Sequence, residues 1–107
     1  MAKAASNGHR RVAIVNGLRT PFVKAATVFS ELTALDLGRI VVQELVQRSE
    51  LDPNELDSVV FGQVIPGLTA ASIAREVVLT AGLPRKVEAY TVARACATSI
   101  QTMVNAA

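Results

Sequence analysis

The sequence contains few of the residues that several specialised classes of protein require. Its 107 residues include one cysteine, one histidine, one tyrosine and no tryptophan. A single cysteine excludes an intramolecular disulfide, and one cysteine with one histidine cannot fill the four positions of a structural zinc site. The scarcity of aromatic side chains argues against a platform on which nucleic-acid bases stack. The glycines do not form a phosphate-binding loop of the GxGxxG or GxxxxGK[ST] type.

Charge and hydropathy exclude two further classes. The 11 basic residues exceed the 9 acidic residues by too little to predict nucleic-acid binding. The apolar runs are far shorter than the roughly 18 residues that a membrane-spanning helix needs. Because 50% of the residues are hydrophobic, the chain can bury one small core. Its lone cysteine is compatible with a reducing compartment, and we expect a cytoplasmic protein with no transmembrane segment.

The first ten residues differ in composition from the rest. Residues 1–10 are predicted to form a flexible tail because they are polar and basic and lack the apolar run of a secretory signal. His9 lies in this tail, which makes it a poor candidate for a catalytic base. The last apolar stretch reaches Ala107 without a glycine or proline to end it. Residues 11–107 are therefore expected to be the first portion of a longer domain.

Hydrophobic patterning predicts strands that alternate with helices. The predicted strands are Val12–Val15, buried on both faces, Asp57–Val64 and Glu88–Ala93, and the predicted helices cover residues 34–49, 72–81 and 96 onward. Thr33 is expected to cap the first helix together with Asp36, and Gly38 indicates that this helix packs closely against another backbone. The order βαβαβα is typical of an α/β fold with a parallel sheet and crossover helices.

Cys96 is the main candidate for chemistry, because it falls where the third strand turns into the third helix. The free N–H groups and the dipole at a helix N-terminus favour the thiolate, which is the nucleophilic form, and Arg94 could add positive potential. A free cysteine is also a common small buried hydrophobe. From the residues alone, both interpretations of Cys96 remain open.

Two further groups of polar residues contain side chains that could carry chemistry. Arg19 and Arg75 could each bind a phosphate or hold a loop together, and the second role is the commoner one for arginine. Asp52, Glu55 and Asp57 cluster around a predicted turn, which favours a solvated surface over a pair of catalytic carboxylates.

Four segments resemble the thiolase family in their order and spacing. They are Arg19-Thr20-Pro21-Phe22, Val60-Phe61-Gly62-Gln63-Val64, Ile73-Ala74-Arg75-Glu76 and Ala93-Arg94-Ala95-Cys96-Ala97-Thr98-Ser99. The likeness extends over about residues 11–107, and several separated motifs in register are more specific than one short pattern. The last segment is most similar to 3-ketoacyl-CoA thiolases of the trifunctional-enzyme β-subunit type. It departs from the wider family pattern Asn-Arg-x-Cys-x-Ser-Gly at Ala93, Thr98 and Ser99.

The resemblance implies a fold, a reaction and a nucleophile. The chain would be the βαβαβα N-terminal part of a thiolase-like fold, within one half of the five-layer αβαβα architecture. Cys96 would be the nucleophile of an acyltransferase that cleaves 3-ketoacyl-CoA with coenzyme A in fatty-acid β-oxidation. Coenzyme A would be a substrate, and no cofactor or metal is implied. The family's two activating histidines and its second cysteine would lie beyond residue 107, so we expect the chain alone to be inactive.

The resemblance is also compatible with other functions, and it implies partners. The runner-up is an acetoacetyl-CoA thiolase, or acetyl-CoA acetyltransferase, of the biosynthetic type. A non-catalytic thiolase-like dimerisation module belongs to a different class, and a redox sensor would lack a second cysteine to resolve it. The family implies a homodimer or higher oligomer, formed through the strand at about Glu88–Ala93, and a hydratase/dehydrogenase subunit as a possible partner.

Overall fold

The computed structural model describes Gly8 and residues 10–107, so most of the predicted tail, including His9, lies outside the described residues. The described chain forms helices α1 (Ala34–Arg48), α2 (Ile73–Thr80) and α3 (Thr98–Ala106), strands β1 (Ser58–Gly62) and β2 (Glu88–Val92), and short 3-10 turns at Pro53–Glu55 and Ala95–Ala97. The predicted α/β class is confirmed, and every predicted helix is present. The strands and helices lie within a few residues of their predicted bounds, except that no strand forms at Val12–Val15.

Strands β1 and β2 pair in parallel, with Ser58 opposite Glu88 and Gly62 opposite Val92. The ladder extends one residue past β1, because the N–H of Gln63 donates to the carbonyl of Val92 at 3.1 Å. Helix α2 connects the two strands and packs on both of them. This βαβ unit is the connection that parallel strands require, and it brings the carboxyl ends of both strands to one edge of the sheet.

Two neighbouring residues of β1 show how the layers are arranged. Side chains of successive strand residues point to opposite faces of a sheet. The ring of Phe61 lies next to Gly38 of α1, whereas Gly62 faces α3, where Thr98 is its nearest neighbour. Helix α1 also packs on α2. The described residues therefore form three layers, with α1 and α2 on one face of the sheet and α3 on the other.

The core lies on the face that α1 and α2 cover. Val77 and Val78 of α2, together with Val87 just before β2, are the largest fully buried side chains among the described residues. At Gly38, an added Cβ would lie 3.1 Å from Cγ2 of Val77 and 3.2 Å from Cε1 of Phe61. The predicted close approach at Gly38 is confirmed. Its neighbours, however, are side chains and not the backbone that the sequence suggested.

The predicted strand Val12–Val15 is wrong for this structure. These residues form no strand, and they are exposed, with Ile14 at 81% and Val15 at 89% of their full accessibility. A run of apolar residues shows only that the side chains favour burial, whereas a strand also needs a neighbour with free backbone groups. In the described part of the chain, the sheet contains only β1 and β2, and neither pairs with this segment.

The ends of the helices follow the sequence only in part. Thr33 and Asp36 form the expected capping box on α1, in which each side chain accepts a hydrogen bond from the backbone N–H of the other. Ser72 stands at the N-cap position of α2 but makes no capping hydrogen bond. Instead, the N–H of Ala74 donates to the hydroxyl of Thr91 on β2 at 3.1 Å. The α2 cap is thus a tertiary contact, which local sequence cannot reveal.

The capping box predicts a pH dependence of stability. The backbone N–H and hydroxyl of Thr33 donate to the Asp36 carboxylate and hold the pKa of that carboxyl below its ordinary value. A folded-state pKa below that of the unfolded chain adds stability above the unfolded pKa, and this stability is lost as pH falls through the folded value. We expect Asp36→Asn to remove one component of the stability loss below about pH 4.

The measurement is the urea midpoint of unfolding between pH 2 and pH 7. Thr33→Ser keeps both donors to Asp36 and serves as the control that follows the wild-type profile. The pKa of Asp52 is also lowered, by the N–H and side-chain amide of Asn54. Asp52 therefore also contributes to the loss of stability at low pH, and it does so equally in every variant. Only the difference between the wild type and Asp36→Asn reports on the cap, and parallel profiles for these two would contradict the prediction.

Candidate active site

Cys96 lies in the middle of the 3-10 turn Ala95–Ala97, between the end of β2 and the start of α3. Its thiol is free and exposed. The predicted location at a strand-to-helix junction is confirmed, although α3 begins two residues later than the sequence suggested. The alternative of a small buried hydrophobe is wrong in this structure. Exposure of the residue is compatible with a nucleophilic role, which requires an accessible thiol.

The backbone immediately before Cys96 is strained. Ala95 has a φ of 43°, in the left-handed region that residues with a Cβ avoid. This conformation costs a non-glycine residue roughly 1–2 kcal/mol, and it persists only where surrounding contacts impose it. One such contact is the hydrogen bond from the N–H of Ala97 to the carbonyl of Arg94, at 2.9 Å. The turn that presents Cys96 is therefore maintained by its neighbours against a local preference.

Thr98 supplies two more hydrogen bonds to this turn. Its hydroxyl accepts from the N–H of Arg94 at 2.8 Å and donates to the carbonyl of Ala95 at 2.7 Å. The side chain is only 5% exposed and is the one buried polar residue among those described. One hydroxyl thus satisfies two backbone groups on the N-terminal side of Cys96, away from competing water.

Gly62, at the end of β1, makes room for Thr98. A Cβ at Gly62 would lie 2.5 Å from Cγ2 of Thr98 and 3.1 Å from Cγ2 of Thr102. Because real Cβ atoms do not approach other atoms so closely, any larger residue at position 62 would push α3 away from the sheet. The glycine therefore brings the cysteine turn and the first turn of α3 against β1.

The arginines that the sequence singled out are engaged with backbone or neighbouring side chains. The guanidinium of Arg75 donates to the carbonyls of Val87 and Arg85, at 3.0 and 3.2 Å. Arg19 donates to the carbonyl of Thr20 at 2.9 Å and stacks 3.5 Å over the ring of Phe22. The structure thus shows the loop-holding role for both arginines.

The remaining candidates do not converge on Cys96. The guanidinium of Arg94 donates to Oε1 of Gln101 at 2.6 Å, so this side chain lies along the outside of α3. Asp52, Glu55 and Asp57 are exposed around the 3-10 turn at Pro53–Glu55, as predicted for a surface turn. Across the described residues, no group of three or more His, Cys, Asp or Glu side chains comes together in a way that could hold a metal ion.

One protein-family model matches almost the whole chain. The model of the family described as "Thiolase, N-terminal domain" aligns with residues 12–107. This chain belongs to the thiolase family. The 3-ketoacyl-CoA thiolases of Shewanella pealeana and Colwellia psychrerythraea are 56% and 55% identical to it over 97 residues, which is 91% of this chain and 22% of each relative. The thiolase chain therefore spans about a fifth of the length of the curated relatives that it matches.

Solved structures agree with this assignment. The acetyl-CoA acetyltransferase of Bacillus anthracis superposes with a TM-score of 0.70 at 34% identity, over 74% of this chain and 20% of that one. A thiolase from Ascaris suum, solved in complex with coenzyme A, gives a TM-score of 0.72 at 24% identity over 77% of this chain and 22% of that one, and it supports the fold alone.

None of the helices in the described part of the chain combines the length and the hydropathy that a bilayer crossing requires.

The importance of Gly62 and Thr98 could not be recognised from the sequence of the thiolase chain. Thr98 stood out only as a departure from the serine of the wider family pattern, and Gly62 only as part of a matching segment. Their contact joins residues 36 positions apart, and it depends on the register of β1 against β2. The only signal in the sequence for this role was a hydroxyl two residues after the cysteine. Its hydrogen-bond partners, the N–H of Arg94 and the carbonyl of Ala95, come within reach only because the turn adopts its strained conformation.

The contact between Gly62 and Thr98 predicts the effect of adding one methyl group. Gly62→Ala should lower the free energy of unfolding by about 1–3 kcal/mol, as overpacking does in other proteins. Gly67→Ala is the matched control because an added Cβ there meets nothing within 4 Å. Its effect should stay within about 0.5 kcal/mol. Urea unfolding of both variants measures this difference, and equal stabilities would show that the contact is not tight.

Proposed function

We propose that this chain carries the nucleophilic cysteine of a 3-ketoacyl-CoA thiolase that acts in fatty-acid β-oxidation. The observation that carries the proposal is the exposed thiol of Cys96 on a strained strand-to-helix turn, within the segment that matches the thiolase family. The name of the relatives at 55–56% identity supports the substrate class. In this proposal, residues 11–107 are the N-terminal portion of the thiolase N-terminal domain.

The proposed reaction takes place in two covalent steps. The Cys96 thiolate attacks the keto carbon of 3-ketoacyl-CoA, and the bond between that carbon and the α-carbon breaks. Its electrons leave on acetyl-CoA, which takes up a proton, and the shortened acyl group stays on Cys96 as a thioester. The thiol of coenzyme A then gives up a proton and attacks this thioester. Shortened acyl-CoA is released, and the Cys96 thiolate is regenerated.

The proton transfers in this reaction need a base and an acid that the described residues do not supply. The only histidine of the sequence is His9, and it lies outside the described residues. In the proposal, the two activating histidines and the second cysteine of the family complete the site. Because loss of a partner to a nucleophile commonly costs several powers of ten in rate, the chain alone should turn over substrate negligibly.

The second candidate is an acetoacetyl-CoA thiolase of the biosynthetic type. The observation that favours it is the similarity to the Bacillus anthracis acetyl-CoA acetyltransferase. The two candidates share Cys96 and the acyl-enzyme, and they differ in the length of acyl chain that the site accepts. The higher identity to the 3-ketoacyl-CoA thiolases, 56% against 34%, supports the oxidative function as our leading proposal. A thiol that must remain reduced also suits the cytoplasmic location that we propose.

The first experiment determines whether Cys96 accepts an acyl group. The intact mass of the chain is recorded after mixing with acetoacetyl-CoA or a long-chain 3-ketoacyl-CoA, with Cys96→Ala as the control. The same measurement is made on the chain joined to the remaining part of the Shewanella pealeana enzyme. We expect a thioester adduct on the joined protein, with the long chain as well as the short one, and no adduct on Cys96→Ala.

Each other outcome of this experiment has a defined meaning. No adduct on either protein would overturn the proposed function. An adduct that is limited to the short acyl chain would favour the biosynthetic type. An adduct on the chain alone would show that the turn itself activates the thiol, against the expectation that the chain is inactive.

We also propose that the outer edge of β2 pairs with a second copy of the chain. In the described residues, β2 has a hydrogen-bonded neighbour on one side only, and its Tyr90 is exposed. A free edge of this kind can accept another strand. Sedimentation velocity should show association that increases with concentration, and Tyr90→Lys, which places a charge on that strand, should weaken it. A monomer at every concentration would contradict the proposal, as would a variant that associates like the wild type.

A further inference from the structure

We propose that Thr98 is a positioning residue for Cys96, because its hydroxyl maintains the turn that carries the thiol. This inference rests on the proposed function, in which Cys96 is the nucleophile. It concerns the geometry of the reacting side chain and not a contact with substrate.

Both hydrogen bonds of the Thr98 hydroxyl are made to the backbone just before Cys96. The hydroxyl accepts from the N–H of Arg94 and donates to the carbonyl of Ala95, at 2.8 and 2.7 Å. Arg94 and Ala95 are the two residues immediately before Cys96. Thr98 therefore fixes the peptide groups that set the direction in which the chain enters the cysteine turn.

These hydrogen bonds oppose the preference of an alanine for negative φ. Ala95 has a φ of 43°, which an alanine leaves when nothing prevents it. Thr98 is 5% exposed, so water cannot easily replace the hydroxyl if it is removed. Without the hydroxyl, the N–H of Arg94 loses its partner and Ala95 can return to an ordinary conformation. Such a change would move Cys96.

The methyl group of the Thr98 side chain lies against the sheet. The methyl group of Thr98 occupies the space next to Gly62 of β1, where a Cβ would lie only 2.5 Å away. This close packing restricts the rotation of the threonine side chain. The methyl group thereby packs against the sheet, and the hydroxyl alone makes the hydrogen bonds that hold the turn.

Thr102 provides a matched control within the same helix. It lies one turn further along α3, and its methyl group would also contact a Cβ at Gly62, at 3.1 Å. Its hydroxyl donates to the carbonyl of Ser99 at 2.6 Å, which is a bond within the helix. Thr102→Val therefore makes the same chemical change as Thr98→Val without removing a bond to the cysteine turn.

The experiment measures kcat and KM for acyl transfer in the wild type and in three variants. It uses whichever protein form is active, either the chain itself or the chain joined to the remaining part of the Shewanella pealeana enzyme. Thr98→Val keeps the shape of the side chain and should lower kcat by about tenfold to a hundredfold, because small misplacements of a reacting group have effects of this size. KM should change by less than about twofold, since substrate contacts are unaltered. Thr98→Ser, which keeps the hydroxyl, and Thr102→Val should retain most of kcat.

Two further measurements separate positioning from a general loss of stability. Ala95→Gly added to Thr98→Val should recover part of kcat, because glycine adopts positive φ without cost. Hydrogen exchange on the chain alone should show a faster Arg94 amide in Thr98→Val than in the wild type, Thr98→Ser or Thr102→Val. This second measurement does not depend on activity.

Three results would overturn the inference. The first is an unchanged kcat in Thr98→Val, the second is an equal loss in Thr102→Val, and the third is an Arg94 amide that exchanges at the wild-type rate in Thr98→Val. A wild-type protein that transfers no acyl group in either form would instead overturn the proposed function. In that case, the exchange rates would still show whether Thr98 maintains the turn.

Discussion

In the parallel ladder between β1 and β2, Gly62 pairs with Val92, so both strands reach the same edge of the sheet at their carboxyl ends. The position of this pair decides what lies next to the cysteine. Because Val92 is the last residue of β2, the turn with Cys96 and the start of α3 follow within a few residues. Gly62 stands beside them and allows α3 to approach the sheet. A shift of one residue in this register would turn a different side chain of β1 towards α3.

The two faces of the sheet have different roles: one holds the apolar core, and the other carries the turn with Cys96. On the face covered by α1 and α2, buried aliphatic side chains such as Val77 and Val78 form the core. On the face covered by α3, the described contacts include a glycine, a buried hydroxyl and a strained backbone. Proteins tolerate strain of this kind where the surrounding structure is otherwise well determined. Burial of the aliphatic side chains on the first face can therefore offset the conformational free energy that the strained turn at Ala95 costs.

The sequence predicted local features better than features that depend on distant residues. The span of α1 and its capping box at Thr33 and Asp36 follow from residues close in sequence, and both are present. The strand at Val12–Val15 was wrong because its formation depends on a pairing edge that an apolar run does not encode. The location of Cys96 at a strand-to-helix junction was predictable from the order of elements. The positive φ of Ala95 was not, because alanine gives no local signal for that conformation.

Close packing between Gly62 and Thr98 also means that these two positions cannot change independently. A methyl group added at position 62 occupies the space that the methyl group of Thr98 fills, whereas a serine at position 98 would vacate it. The free energies of the two substitutions therefore do not add, as is usual for residues in direct contact. Among related chains, an alanine at the end of this strand would be tolerated best beside the serine of the wider family pattern. The strand and the helix thus share one constraint on their sequence variation.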